Sequence, residues 1–445
     1  MNSQAIADRC EQADVELIRL LYVGNDGVVR GHAVEQDHVP DALESGVPLP
    51  ELVQSFNALG HRVKDAQFDA VGEVRLLPDC SSFRVLDHED RVAAVLCSLR
   101  DSESGHPWSA DPRSALSRQL ADLADEGLEA ALALESEFHL VTDGEEPSPH
   151  GDQGVYSTAS MRNGHDVILD VVDALQAQGI NVHKYYPEYA AGKHEIVTKY
   201  GRGIGAVDDY VFLRETVAAV AESHGLGTTF LPYPFDGATN GCHVHLSLWD
   251  GDNRFAPSDG DRALSPMGRH FVGGILAHVP ALLALTSPTV NSYARLRPQA
   301  GAAAYGCWGV ENREAAVRIP TAAPGERDTA TRVEYRPADN TANPYLSVLG
   351  LLAAGLDGIR NEIDPGPPLE ADPANCDEAT LTDRDIDRLP TTLGEALDAL
   401  ADDDVLRSAL GEELTESYLT VKRSEWDAFT DSAATWERER LRDTF

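Results

Sequence analysis

Apolar and polar residues alternate strictly over 131–140 ("ALALESEFHL"), which predicts a β-strand. Leu132, Leu134, Ser136, Phe138 and Leu140 fall on one face and Ala131, Ala133, Glu135, Glu137 and His139 on the other. The same period recurs in "GCHVHLSLW" (241–249), with His243, His245 and Ser247 opposite Val244, Leu246 and Leu248. It recurs again in "TRVEYRP" (331–337), with Arg332, Glu334 and Arg336 opposite Val333 and Tyr335, and at the end of "ENREAAVRIP", where Arg318 sits between Val317 and Ile319. Nearer the N-terminus, 15–23, 27–34 and 91–99 read as short strands and 40–59 as a helix. After the turn-rich stretch around residue 105, Pro112 opens a helix that Gly127 ends. The glycine run "GRGIGAV" from Gly201 reads as a loop, and 362–390 as a long surface loop before a helical C-terminal region. His278, alone in the helix-like "GGILAHVPALLAL", reads as a packing or subunit-contact residue.

A chain of 445 residues exceeds what one core usually supports, so two domains are expected, 1–105 and 106–445. Composition changes the picture more than length does. The chain holds 74 acidic and 36 basic side chains, a formal net charge of -38. That field repels phosphate backbones and anionic lipid, excluding nucleic acid and membrane surfaces as partners. Such an acid excess suits a salt-in cytoplasm, where ions screen charge within ~3 Å at 1 M. Six separated cysteines with no C-x-x-C pair fit a reducing compartment, and the N-terminus has no secretory pattern. A soluble, cytoplasmic protein is the expectation.

The polar strand faces carry Glu, His and Arg to the near exclusion of the Thr, Ser and Asp that a merely solvated face would mix in. Several glutamates with one or two histidines favour Mg²⁺ or Mn²⁺ over zinc. Arginines on neighbouring strands supply forks for phosphate or carboxylate. Carboxylates that hold divalent metals beside such forks describe phosphoryl transfer. No G-x-x-x-x-G-K-[ST] motif is present, so the nucleotide is not held by a P-loop.

These motifs, in this order, resemble the glutamine synthetase family. "ESEF" is similar to its E-x-E-F strand and "PEYAAGKHEI" to its E-x-x-x-G-Q-x-E segment. "NGCHVHLSLW" resembles G-x-H-x-H-x-S-L, "SPTVNSYARLRP" resembles P-T-x-N-S-Y-x-R-L, and "ENREAAVRIP" and "VEYRPADNTANPY" complete the set. The resemblance implies an α+β fold: a small β-grasp N-terminal domain and a large catalytic domain with an open antiparallel β-barrel and helices. It implies homo-oligomeric rings, commonly a dodecamer of two hexamers, with active sites between subunits. One metal would be held by Glu137, Glu188 and Glu195, a second by Glu135, His243 and Glu334. His245 and Ser247 would lie near ATP, Arg313, Arg318 and Arg332 on its phosphates, and Arg295, Arg336 and Gly241 beside the substrate glutamate. ATP, two or more Mg²⁺ or Mn²⁺ ions, glutamate and an amine are the implied ligands, and γ-glutamyl phosphate the implied intermediate.

The departures fall on the acceptor side. The family's flap glutamate, six residues after the Arg of N-S-Y-x-R-L, corresponds to Gly301, and no carboxylate lies between Arg295 and Val310. An Asp of the family's ammonium pocket corresponds to Glu73. His-His before the metal glutamate has become Tyr186-Pro187, and the Gln of G-Q-x-E has become Lys193. An ammonium pocket needs close negative groups, whereas a flap of Gly and Ala leaves room for a substituent. The sequence therefore points to glutamate–amine ligation with an acceptor bulkier than ammonia, a polyamine or monoamine. Ordinary glutamine synthesis is the alternative, and a catalytically weak structural or nitrogen-sensing homologue a second one.

Overall fold

The computed structural model describes residues 3–151, 154–258 and 263–432, with 440 and 444. Among the described residues the strands form two sheets, one of six strands and one of nine. The smaller one runs Val29–Glu35, Leu17–Val23, Val92–Asp101, Glu73–Pro78 and Val47–Pro50, with Arg84–Val85 also on Val92–Asp101. Its central pair, Leu17–Val23 with Val92–Asp101, is parallel. Ile18, Leu20, Val74, Val95 and Leu99 form its own core, which Trp108 and Ala110 close.

The larger sheet runs Tyr305–Val310, Ala315–Ile319, Val333–Tyr335, Cys242–Trp249, Glu129–Thr142, Lys193–Thr198 and Val182–Pro187. Gly201–Arg202 and Leu226–Thr229 pair along the long central strand Glu129–Thr142. Its pairings are antiparallel apart from Tyr305–Val310 with Ala315–Ile319. This α+β architecture, a small N-terminal sheet and a large, mainly antiparallel sheet with helices, is the one the sequence predicts.

Helices Gly203–Ser223, Pro266–Thr286 and Pro344–Arg360 supply much of the main core. Pro266–Thr286 is long and apolar enough to cross a membrane, yet most of it is buried inside the fold. It lies so close to Pro344–Arg360 that a Cβ at Gly274 would stand 2.0 Å from the Ala354 carbonyl oxygen. Only glycine permits that approach.

Two elements differ from expectation. The helix expected over 40–59 ends at Ser45, because Gly46 takes φ 67°. The strand Val47–Pro50, with its two prolines, then pairs with Glu73–Pro78, and a 3₁₀ turn covers Glu51–Ser55. The glycine run at 201–207 is not a loop: Gly201–Arg202 pairs with the central strand and Gly203 opens the helix Gly203–Ser223. The segment 362–390 is mostly irregular, broken by Pro373–Asn375 and Glu378–Asp383, and Leu369 N–H bonds the Trp308 carbonyl at 2.8 Å. The helix from Pro112 runs as predicted to Asp125, capped by the Asp111 side chain on Ser114 N–H.

Candidate active site

Strand register assembles the site. Across the large sheet Arg318 lies opposite Glu334, Glu334 opposite His245, His243 opposite Glu135, and Glu137 opposite Glu195. Because side chains alternate faces, this register lines the predicted groups along one side of the curled sheet while Leu134, Phe138, Val244, Leu246 and Val317 go to the core.

Glu135, His243 and Glu334 converge. Among the described residues they form the one group of three or more His, Cys, Asp or Glu donors lying within 4.8 Å of one another. His243 Nδ1 is 3.6 Å from Glu334 Oε1 and 3.9 Å from Glu135 Oε2. Two carboxylates and one imidazole suit a hard divalent cation, so this trio fits the metal that the resemblance implies. Burial alone would push Glu334 up, but His245, Arg336, His243 and Arg318 hold it at about 2. Glu135 is likewise opposed by burial yet held well below the usual carboxylate range by His245 and His243. Burial and the Arg336 charge push His243 down, which favours the neutral form that can ligate.

The second predicted trio is arranged differently. Lys193 Nζ lies 2.7 Å from Glu137 Oε2 and 3.8 Å from Glu188 Oε2, with 5% of its side chain exposed. Glu195 is hydrogen-bonded by the Tyr186 hydroxyl. Against the cost of burial, Lys193 with His243 and Arg295 brings Glu137 down to about 2. Burial and the neighbouring Glu137 and Glu135 raise Glu195 to about 9. Glu188 follows the strand Val182–Pro187, takes a long 3.5 Å bond from the Tyr156 hydroxyl, and accepts from Tyr189 N–H at 3.1 Å.

The arginines divide by depth. Arg318 reaches Glu334 Oε2 at 2.6 Å and Glu311 Oε2 at 2.5 Å. Arg332 Nε donates to His245 Nδ1 at 3.0 Å, which aims His245 Nε2 at Glu135 Oε1, 3.2 Å away. Arg336 bonds Glu334, the Arg313 carbonyl at 2.8 Å and the Gly301 carbonyl at 3.0 Å. The Arg313 side chain itself is exposed. Arg295 is 2% exposed, and its guanidinium is bonded to the carbonyls of Pro337 and Arg336 at 2.7 and 3.0 Å. In this conformation it braces the site floor and offers no open fork. Gly241 N–H bonds Glu137 Oε2 at 2.5 Å, and a Cβ there would stand 2.6 Å from Arg295 Nη2. Ser247 is buried beneath Trp249, whose Nε1 bonds its hydroxyl at 2.9 Å.

Two predicted features lie outside this cluster or change meaning within it. Glu73 is exposed at the start of a strand of the small sheet, so the chain's own fold puts it on a different sheet from the other site residues. The flap position, Gly301, contributes no acid, but its N–H bonds Glu314 Oε1 at 3.0 Å. Burial pushes Glu314 up from the ordinary carboxylate value. The sequence reading missed Glu314 because the contact spans a loop and has no fixed spacing. It also missed Tyr156, whose bond to Glu188 and positive φ of 52° are visible in the structure alone.

Comparison with known proteins agrees with this geometry. Residues 1–108 match the glutamine synthetase N-terminal domain and residues 109–441 the glutamine synthetase catalytic domain. A glutamine synthetase of Halobacterium salinarum is 34% identical, covering 100% of this chain and 97% of its own. A gamma-glutamylpolyamine synthetase of Streptomyces coelicolor is 35% identical over 91% of this chain and 88% of its own. Among solved structures, a glutamine synthase homologue superposes with a TM-score of 0.86 at 32% identity, covering 97% of this chain and 99% of its own. A GmaS–ADP complex gives 0.85 at 30% identity, covering 98% and 99%. The chain belongs to the glutamine synthetase family of ligases.

Proposed function

We propose that this protein is an ATP-dependent, ADP-forming ligase that joins glutamate to an amine larger than ammonia. The observation that carries the reading is Gly301. Its φ is 68°, a Cβ there would meet nothing within 4 Å, and the flap has no acid of its own. A pocket built for ammonium needs close negative groups to desolvate and deprotonate a small cation, whereas open space admits an alkyl substituent. The likeness to a polyamine-named relative supports the same reading.

In the proposed reaction a glutamate side-chain oxygen attacks the γ-phosphorus of ATP and ADP departs. The amine nitrogen then attacks the acyl carbon of γ-glutamyl phosphate, phosphate leaves, and the nitrogen loses a proton. Arg313, Arg318 and Arg332 serve the phosphates, with His245 and Ser247 beside the nucleotide. Arg336 serves the glutamate, and Arg295 and Gly241 set the floor beneath it. Glu135, His243 and Glu334 would hold a divalent cation, which would supply charge neutralisation for the transferred phosphoryl group. Glu73, exposed on the small sheet, is open to a neighbouring chain, as it would be in a ring of two stacked hexamers where each N-terminal domain completes a neighbour's acceptor pocket.

Glutamine synthesis is the second reading, favoured by Glu314, whose carboxylate at Gly301 N–H stands where a flap acid would act. The test is ADP release at high KCl with Mg²⁺ or Mn²⁺, ATP and glutamate, with ammonium, putrescine, ethanolamine and small monoamines as acceptors. A larger amine that outperforms ammonium by tenfold or more in kcat/KM, about 1.4 kcal/mol of discrimination, is the expected result. Ammonium as the best acceptor overturns it in favour of the second reading, and no glutamate-dependent ADP at all would leave a non-catalytic homologue.

A further inference from the structure

We infer that the ammonium of Lys193 is the resident cation of the Glu137–Glu188–Glu195 half of the site, so that the nucleotide-free chain binds one divalent ion where its carboxylates suggest two. The inference rests on reading Glu135, His243 and Glu334 as a metal site.

Carboxylates gathered this closely need a positive charge or a proton among them if they are to stay buried together. Glu137, Glu188 and Glu195 are 7%, 7% and 3% exposed. For Glu137 and Glu188 that charge already belongs to the chain. Lys193 starts the strand Lys193–Thr198, lies opposite His139 in the register, and turns back so that its carbonyl accepts from Glu188 N–H at 3.0 Å. This turn delivers Nζ to 2.7 Å from Glu137 and 3.8 Å from Glu188. A lysine ammonium is a compact point charge with three donors, the closest side-chain equivalent of a small cation.

Each of the three carboxylates also accepts a hydrogen bond. Glu137 Oε2 accepts from Gly241 N–H at 2.5 Å, Glu188 from Tyr189 N–H at 3.1 Å, and Glu195 from the Tyr186 hydroxyl. A hard divalent ion needs several free oxygens arranged around it. Here donors already hold an oxygen of each carboxylate, and a divalent ion would sit against the ammonium. The two halves of the site thus differ: Glu135, His243 and Glu334 converge within 4.8 Å, with Arg318 and Arg336 behind Glu334, whereas the other three carboxylates have an ammonium set between two of them.

The test counts bound Mn²⁺ by calorimetric titration and electron paramagnetic resonance on the full-length, nucleotide-free protein in high KCl. Wild type should saturate at one ion per chain. Glu195→Gln should leave the count at one, and Glu135→Gln should abolish it. Lys193→Met, which keeps the stem and removes the charge, should raise it to two. Two ions in wild type, or one in a folded Lys193→Met protein, would overturn the Lys193 assignment. No ion in wild type overturns the metal reading of Glu135, His243 and Glu334. Should Lys193→Met not fold, Lys193→Gln replaces it, and the wild-type count with the two glutamate variants decides alone.

Discussion

Arg336 joins three parts of the site through one guanidinium: Glu334, the Arg313 carbonyl and the flap carbonyl of Gly301. Its planar fork reaches three separated acceptors through three different nitrogens, whereas an ammonium carries its three donors on one nitrogen and cannot span them. Arg336→Lys should therefore free the flap and unbalance Glu334, lowering kcat/KM by about 10²-fold or more while the chain still folds. Steady-state ADP release with a parallel melting curve checks this, and a loss under threefold would remove Arg336 from the site's working parts. At this scale much was legible. Glu135, Glu137, His243, His245, Glu334 and Arg336 stood out because a two-residue period carrying only Glu, His and Arg has no packing explanation. Contacts that cross between strands or loops were not legible. The position of Lys193 between two glutamates depends on register and a turn, and the approach of Glu314 to Gly301 depends on how a loop folds.

Elements were read well where one period ran long, and badly where punctuation was dense. The strand Glu129–Thr142 and the helix Pro112–Asp125 came directly from pattern and caps. The stretch 40–59 carried enough apolar residues for a helix, but Gly46 and two prolines divide it into helix, strand and turn. The glycines at 201–207 looked like loop residues because the partner that orders them, the central strand, lies some 70 residues earlier by roughly counting along the chain. The helix Pro266–Thr286 shows what its lone histidine does. His278 Nδ1 is 2.7 Å from Asp403 Oδ2, in the cap of Asp404–Leu410, and Nε2 is 3.2 Å from Asp357 Oδ2 on Pro344–Arg360. The bond to Asp403 raises His278 above the ordinary histidine value of 6.5, against partial burial and with help from Asp357. A raised histidine contributes its stability fully below the unfolded value and loses it as pH climbs through the folded one. Wild type should therefore exceed His278→Gln in unfolding free energy most below pH 6.5, with the gap narrowing at higher pH. Chemical denaturation at several pH values reads this directly, and a gap constant from pH 5 to 9 would deny the three-helix clasp.

The whole molecule is governed by charge that no single contact explains. The acids exceed the bases by 38, and runs such as "LADDDVL" and "DRDIDR" crowd like charges along the chain. Asp402, Asp404, Asp383 and Asp385 from those runs are exposed. Such repulsion opposes the compact state at low ionic strength and is screened as the Debye length falls from ~10 Å at 0.1 M to ~3 Å at 1 M salt. Buried pairs such as Lys422 with Glu425, 3.0 Å apart, are shielded from the solvent and keep their strength in salt. Raising KCl therefore relieves the cost of the surface without dissolving the site or the interior pairs. The melting temperature should climb with KCl, by about 1 °C for each kcal/mol of repulsion relieved in a chain of this length. An uncharged osmolyte at equal osmolarity should do less, because it leaves the field in place. Melting curves in KCl and in sorbitol separate the two effects. A chain equally stable and active in dilute buffer would break the link from acid excess to salt dependence, and the surface charge would then need another physical reason.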